Sequence, residues 1–378
     1  MINPLEIYWY NSPEQVCREC KVSAMQGSLF EHPGLVSRLK RQGTLMGYVF
    51  SGKKNWHLES DESRGYSGGT NELEINFMRT WQWLLISVVV IVVGFAGFVF
   101  SQVRALEVKQ ITNDLYVIYG MGGNVAVLDT MEGTVIVDTM TLKYQGDRIK
   151  EEAMALTGKP ITLIINTHYH LDHTHGNPAF DAGTRVVSTQ RTLHHLKVTD
   201  SEYFSGEASE LMPNETFVTD KVISMGNKTL KLMYPGRGHT DGDLVVLFEE
   251  DRTLHTGDLF FFQHYPNIDL EGGGSVVEWG DTIDRILEIP FLTVIPGHGN
   301  ITERGNLEQF QKFIRQLASI GKDAAENGIS LEETIATDKL TEDAHYEPMK
   351  MIIDIGLTRE FVLQRAWEEA NNAFERRP

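Results

Sequence analysis

The chain has 378 residues, enough for one large domain or two of ordinary size. Its 52 acidic residues outnumber 34 lysines and arginines, giving a formal net charge of -18. Such a surface repels phosphate backbones and argues against a nucleic-acid partner; solubility is its plain consequence. The two cysteines, Cys17 and Cys20, cannot build a disulfide framework, and a lone Cys-x-x-Cys without a second pair is read as carrying no function.

Residues 1–77 hold Gly, Ser, Pro and charge without sustained periodicity, so no packed core is expected there. From Trp81 to Phe100 there is no charged residue. A helix of that length is about 30 Å long, the thickness of a bilayer's hydrocarbon core. Trp81 and Trp83 suit an interface, and Arg79 and Arg104 flank the run. A soluble core seldom needs a helix that is apolar on every face. Met78-Arg79-Thr80 ahead of the run also has the form of a secretory signal starting at an internal methionine, although the run's length favours an uncleaved anchor. Residues 78–105 are thus read as a transmembrane anchor or signal peptide. Residues 1–77 are read as an extension upstream of a functional protein that begins near Leu106. The part beyond is expected outside the cytoplasm, membrane-anchored through residues 81–100 or periplasmic or secreted.

The pattern then becomes regular. Leu115–Tyr119, Asn124–Leu128 and Thr134–Val137 are short β-branched runs between Gly and Asp turns, an antiparallel meander. Gln145–Leu156 reads as a helix ended by Thr157-Gly158-Lys159-Pro160. Ile161–Asn166 is a buried strand, Arg185–Ser188 another, and Thr189–Lys197 a helix. Residues 199–214 are acidic and read as a surface excursion. A second set follows, with strands at Thr216–Ser224, Thr229–Tyr234, Asp243–Phe248, Thr253–Thr256 and Leu292–Ile295 and a helix at Val276–Leu287. Two similar sheet halves are implied. Residues 303–378 read as a helical extension, with Leu307, Phe310, Phe313, Ile314 and Leu317 at helical spacing for core packing.

Directly after the strand at Ile161 comes Thr167-His168-Tyr169-His170-Leu171-Asp172-His173-Thr174-His175-Gly176. His168, His170, Asp172 and His173 are good ligands for a borderline metal such as zinc. His-x-His puts two imidazoles on one side of extended backbone, and Asp172 and His173 can turn to a second position. Three more candidates lie just past strands: His239 in Gly238-His239-Thr240-Asp241-Gly242-Asp243, Asp258 in Gly257-Asp258, and His298 in Pro296-Gly297-His298-Gly299. Any one alone is a weak signal, since a lone His beside Gly is more often structural. His194, His195 and His255 are read as structural.

The ordered set H-x-H-x-D-H, G-H-T, G-D and P-G-H-G resembles the metallo-β-lactamase superfamily over residues 107–300, within a domain set at 106–302. The resemblance implies an α/β fold, a four-layer αββα sandwich of two mixed sheets with two zinc ions at one edge. It implies His168, His170 and His239 on the first zinc, and Asp172, His173 and His298 on the second, with Asp258 bridging. It implies that Asp138 orients the histidine loop, as ligating imidazoles require. Two Zn²⁺ against two carboxylates and a bridging hydroxide leave about +1, suited to a neutral or anionic small-molecule substrate. The implied activity is a zinc-dependent hydrolase, with metal-bound hydroxide attacking a carbonyl of an ester, thioester, lactone or β-lactam and Asp172 orienting it as a catalytic residue. The alternative is a non-hydrolytic metal-binding redox or sulfur-handling protein on the same fold.

The chain departs from the β-lactamase subclass with a cysteine ligand, because no Cys follows residue 20 and Asp258 takes that place. Full His/Asp ligation is more similar to hydroxyacylglutathione hydrolases and lactonases. Gly238–Val246 nevertheless resembles a pattern of secreted β-lactamases. Tyr169 and His175 in the ligand loop, and His264 and Tyr265 in the aromatic run Phe260–Ile268, are candidate substrate contacts; packing of that run against the sheet is the equal alternative.

Overall fold

A computed structural model describes residues 40–41, 44–45, 70–337, 339–349 and 355–377. Cys17, Cys20 and most of the 1–77 segment lie outside these residues. The chain falls into two compact units, Met1–Trp83 and Leu84–Pro378. In the first, two-residue strands β1 (Lys40–Arg41) and β2 (Thr44–Leu45) pair antiparallel. Helix α1 runs Thr70–Arg104.

In the second unit, seven strands form one sheet in chain order: β3 (Glu107–Gln110), β4 (Leu115–Tyr119), β5 (Val125–Thr130), β6 (Gly133–Val137), β7 (Ile161–Ile165), β8 (Arg185–Thr189) and β9 (Glu215–Phe217). The first four pair antiparallel and the last four parallel. Six strands form the other sheet: β10 (Asp220–Met225), β11 (Lys228–Met233), β12 (Val245–Phe248), β13 (Thr253–Phe261), β14 (Thr293–His298) and β15 (Thr302–Glu303). Only β13 and β14 are parallel there.

Period-two alternation explains why these sheets stack. In β5, Ala126 and Leu128 enter the core between the sheets, whereas Val125 and Val127 enter the core beneath helix α2 (Lys143–Thr157). In β12, Val246 and Phe248 face the inter-sheet core, whereas Val245 and Leu247 face a third core. That third core holds Trp279 and Ile283 of α5 (Val276–Leu287), Phe310 and Phe313 of the long C-terminal helix (Arg304–Asn327), and Val362 and Leu363 of the last one (Arg359–Ala370). Central strands such as β5 and β12 are therefore apolar on both faces, because helices cover both outer surfaces. The result is the four-layer αββα sandwich, and the C-terminal helices pack into it.

Two strand readings need correction. Thr216–Ser224 is not one strand: it breaks at Val218 and Thr219 into β9 and β10, which belong to different sheets. Val218, 64% exposed, marks where the chain crosses. Thr253–Thr256 is only the start of β13, which continues to Phe261 by a parallel pairing with β14 whose register shifts at Gly257. β3 was not foreseen, because Glu107, Lys109 and Gln110 hide an edge strand behind polar residues. The acidic excursion at 199–214 contains a 3₁₀ turn at Gly206–Leu211 and buries Phe204 and Leu211.

Candidate metal centre

The parallel strands deliver the site. Asp138 follows β6 in a left-handed conformation (φ 63°), and the histidine loop follows β7. Helix α3 (Leu171–Thr174) turns Asp172 and His173 away from His168 and His170. His239 lies between β11 and β12, Asp258 lies within β13, and His298 ends β14. Asp258 is thus inside a strand, where the register shift at Gly257 turns it to the sheet edge. Asn124, opening β5, ties the sheets together there: its amide nitrogen donates to Gly297 O at 2.8 Å, and its side chain donates to Pro296 O and Gly299 O, both at 2.8 Å.

Seven side chains converge in two groups, His168–His170–His239–Asp258 and Asp172–His173–His298. In the first, His239 Nε2 lies 2.7 Å from His170 Nδ1, 3.2 Å from His168 Nε2 and 3.5 Å from Asp258 Oδ2. Ligand atoms placed tetrahedrally at zinc distances stand about 3.3 Å apart, which these separations bracket. In the second, His298 Nε2 lies 3.2 Å from Asp172 Oδ2, and His173 Nε2 lies 3.6 Å from it. Asp258 joins the groups, with Oδ1 3.1 Å from His173 Nε2 and Oδ2 3.4 Å from His298 Nε2.

The outer ring nitrogens show why the inner ones are free. His239 Nδ1 donates to Asn267 O at 2.8 Å, since a carbonyl only accepts. His170 Nε2 faces Asp269 Oδ2 at 3.0 Å, and His173 Nδ1 faces Asp138 Oδ2 at 2.7 Å. The Thr167 hydroxyl donates to Asp138 Oδ2 at 2.7 Å, which leaves it to accept from His168 Nδ1 at 3.1 Å. Asp138 thus orients His173 directly and His168 through Thr167, the arrangement that metal-ligating imidazoles need. His173 Nε2 and Asp258 Oδ1 are buried and have no hydrogen-bond partner. Buried polar atoms rarely stay so, and both point where a cation would sit. The donor set therefore fits a pair of divalent metal ions.

The electrostatics differ between the groups. Burial first, then the His170 imidazole, pushes His239 down to about 4. Burial and neighbouring imidazoles, His173 foremost, hold His168 well below its ordinary value. Burial also lowers His298, but Asp258 and the hydrogen bond to Asp172 outweigh it and lift the ring to about 9. His173 is raised in the same way, Asp258, Asp172 and Asp138 overcoming burial.

Of the four candidate substrate contacts, the structure puts one at the cleft. His264 lines a cavity shared with His298. Tyr169 is instead buried, its hydroxyl bonded to Asp269, because the side chain between two ligand histidines points to the opposite face. His175 stacks on Tyr203 with ring centroids 3.7 Å apart. Tyr265 is buried and donates to Asp343 at 2.7 Å, while Phe260 and Phe261 enter the core. His195 donates towards Asp241 at 2.7 Å, and His255 accepts from Gly257 N at 3.1 Å. Sequence reading missed Asp269, Asn267 and Asn124. An acidic residue isolated in the apolar stretch Ile268-Asp269-Leu270 was the one available signal. The chain end reaches the same place: Arg377 contacts the Tyr169 hydroxyl and approaches Asp269 Oδ2 to 3.4 Å.

Residues 118–298 match the family model described as metallo-beta-lactamase superfamily. The metallo-beta-lactamase type 2 of Bacillus sp. (strain 170) is 26% identical over 218 residues, covering 55% of this chain and 81% of that protein. That of Bacillus cereus is 25% identical over 222 residues, covering 55% and 82%. The alpha subunit of 2,4-dinitroanisole O-demethylase from Nocardioides sp. (strain JS1661) is 25% identical over 193 residues, covering 50% and 56%. The solved metallo-beta-lactamase from Pontibacter korlensis superposes with a TM-score of 0.50 at 23% identity, covering 56% of this chain and 99% of that one, a likeness of fold. With its sandwich, its His/Asp cluster and this match, the domain spanning residues 118–298 belongs to the metallo-β-lactamase superfamily.

Proposed function

We propose that the protein is a binuclear zinc hydrolase that cleaves a carbonyl substrate (ester, thioester, lactone or β-lactam), held at a membrane by α1 with its sandwich outside the cytoplasm. The observation that carries this reading is Asp258, which lies between the two donor groups: its Oδ1 is 3.1 Å from His173 Nε2 of the second, and its Oδ2 is 3.5 Å from His239 Nε2 of the first and 3.4 Å from His298 Nε2 of the second. Zinc bound there supplies Lewis acidity and activates water at neutral pH. The chain's own contribution is orientation. His168, His170 and His239 hold one position, while Asp172, His173 and His298 hold the other. Asp172, at 21% side-chain exposure, is the more open of the two carboxylates; Asp258 is at 4%. Burial raises the Asp172 carboxyl, but His173 and His298 outweigh it and keep it ionised, ready to accept a hydrogen bond from water and orient it. The relatives' names include a β-lactamase and an O-demethylase subunit, so they support the fold's chemistry more than any one substrate.

Gln82–Arg104 is long and apolar enough to cross a bilayer, and Leu84–Phe100 leave their large side chains exposed. This supports the anchor. The test is elemental analysis of the full chain purified in detergent, followed by hydrolysis of a chromogenic β-lactam, a thioester and a lactone with and without chelator. Two zinc ions and chelator-sensitive turnover of any of them above about 1 s⁻¹ are expected. Two zinc ions with no turnover across the panel overturn the reading, and a single iron turns it towards redox chemistry.

A further inference from the structure

A cavity of about 650 Å³ opens beside His298. One side of it belongs to the sandwich, with Asn124, Met121 and Met349; the other is formed by Phe98 of α1 and by Leu106, just beyond that helix. We propose that the substrate is a membrane-resident amphiphile with an acyl tail, which lies along Phe98 and Leu106 while its scissile carbonyl reaches the metal edge at His298. The proposal rests on the hydrolase reading and names the substrate class for that same site.

The covalent path makes this placement hard to avoid. Only Ala105 and Leu106 separate α1 from β3, a span of about 10 Å even when extended. The β3–β4 register then sets Glu107 opposite Tyr119. Tyr119 leads through Gly120–Gly123 to Asn124, whose side chain holds the carbonyls of Pro296 and Gly299 on either side of His298. The exit of the apolar helix and the metal edge are therefore joined by a few residues of ordered chain. Gln82–Arg104 has 23 residues, about 35 Å as a helix, against about 30 Å for the hydrocarbon core. Arg104 at its end suits the headgroup layer, which brings the cleft to the membrane surface.

The chemistry of the wall agrees. Phe98 stays 53% exposed and lines the cavity, and methionines face it from the sandwich. Methionine adapts to irregular apolar groups such as an acyl chain. Polar side chains also line the cavity, Gln102 and Glu107 beside that wall and Asn124 and His298 at the metal edge, as a substrate with both a tail and polar groups needs. In the reaction, water adds its oxygen to the acyl carbon and the acyl–heteroatom bond breaks. The tail leaves as a carboxylate, the other half takes one proton as the alcohol, thiol or amine, and one proton goes to solvent.

The test uses the full chain in phosphatidylcholine vesicles with a long-chain acyl amide that carries a diazirine in its tail. Photolysis followed by peptide mass spectrometry is expected to place label on the peptides holding Met121 and Met349. Leu106→Asp should lower that label at least about fivefold by putting a charge in the apolar wall. Label confined to residues 82–104 overturns the proposal. In a second arm, 4-nitrophenyl palmitate in the vesicles is compared with 4-nitrophenyl butyrate in solution. A kcat/KM at least about tenfold higher for palmitate is expected, the effect of burying roughly two methylenes. Faster cleavage of butyrate overturns the amphiphile and leaves the hydrolase standing. Labelled Met121 and Met349 with neither ester cleaved by a chain holding two metals supports the amphiphile site and overturns the hydrolase.

Discussion

The two donor groups are built from the same residue types and carry opposite electrostatics. The first sets three imidazoles against one shared carboxylate, and burial with neighbouring imidazoles holds His239 down at about 4 and His168 well below its ordinary value. The second sets two imidazoles between Asp172 and Asp258, so its rings are charged when no metal is present, His298 holding its proton to about 9. The number of carboxylates per ring, more than burial, decides which group meets a metal ready and which must first lose protons.

Asp258 is the residue that belongs to both groups, so its loss breaks the comparison outright. Asp258→Asn removes the shared charge, and kcat/KM should fall by about a thousandfold or more, with metal content dropping below two. Elemental analysis beside steady-state kinetics checks this; a variant that keeps two metals and near-normal turnover removes Asp258 from the bridging position.

Orientation should separate the groups next. Asp138→Asn touches His173 directly and His168 through Thr167, so both metal affinities should weaken by about 10–100-fold. Among the seven ligand side chains Asp269 touches only His170, so in Asp269→Asn the first group alone should weaken. Competition with a chromophoric chelator resolves two affinities, and equal losses in the two variants would contradict this division.

The pH dependence sharpens it further. Metal must displace protons from both His173 and His298, so affinity in the second group should rise steeply from pH 7 to 9, by about tenfold per pH unit for each ring still protonated. The first group should be nearly flat across that range, because His239 is already unprotonated above about 4. Chelator competition at several pH values measures both slopes. The same shift sets a stability trend in the metal-free chain. A ring raised from 6.5 to about 9 contributes its full stabilisation below pH 6.5 and loses it as pH rises through 9. The melting temperature of the metal-free chain should therefore fall between pH 7 and 9. The smallest effect is expected from Arg377→Ala, which loosens Tyr169 and Asp269 from the chain end. A loss of about threefold in the first affinity, with the second unchanged, is the scale of a half-exposed ion pair.

Much of this was open to reading along the chain. The ligand residues are local signals, since His239, Asp258 and His298 each stand beside a glycine and the other four fall within six positions. Two sheet halves were readable from the repeated order of strands and helices, the sandwich was implied by the family resemblance, and α5 was placed to the residue because its apolar stripe is local. Edge strand β3 and the break at Val218 were not, because pairing and crossing depend on neighbours far away in the chain.

What the sequence by itself determined is the set of candidate metal-binding side chains, through their types and spacing, and, through the family resemblance those motifs carry, the layered fold that holds them. Only the tertiary structure decided what those side chains face. Asp269 meets His170 across 99 positions, and Tyr265 turns to Asp343 across 78, away from the cleft. The wall beside His298 combines the end of α1 with Met349. A side chain's direction at a strand end is set by whichever distant group completes its hydrogen bonds or covers its apolar surface, and chain folding alone brings that group within reach.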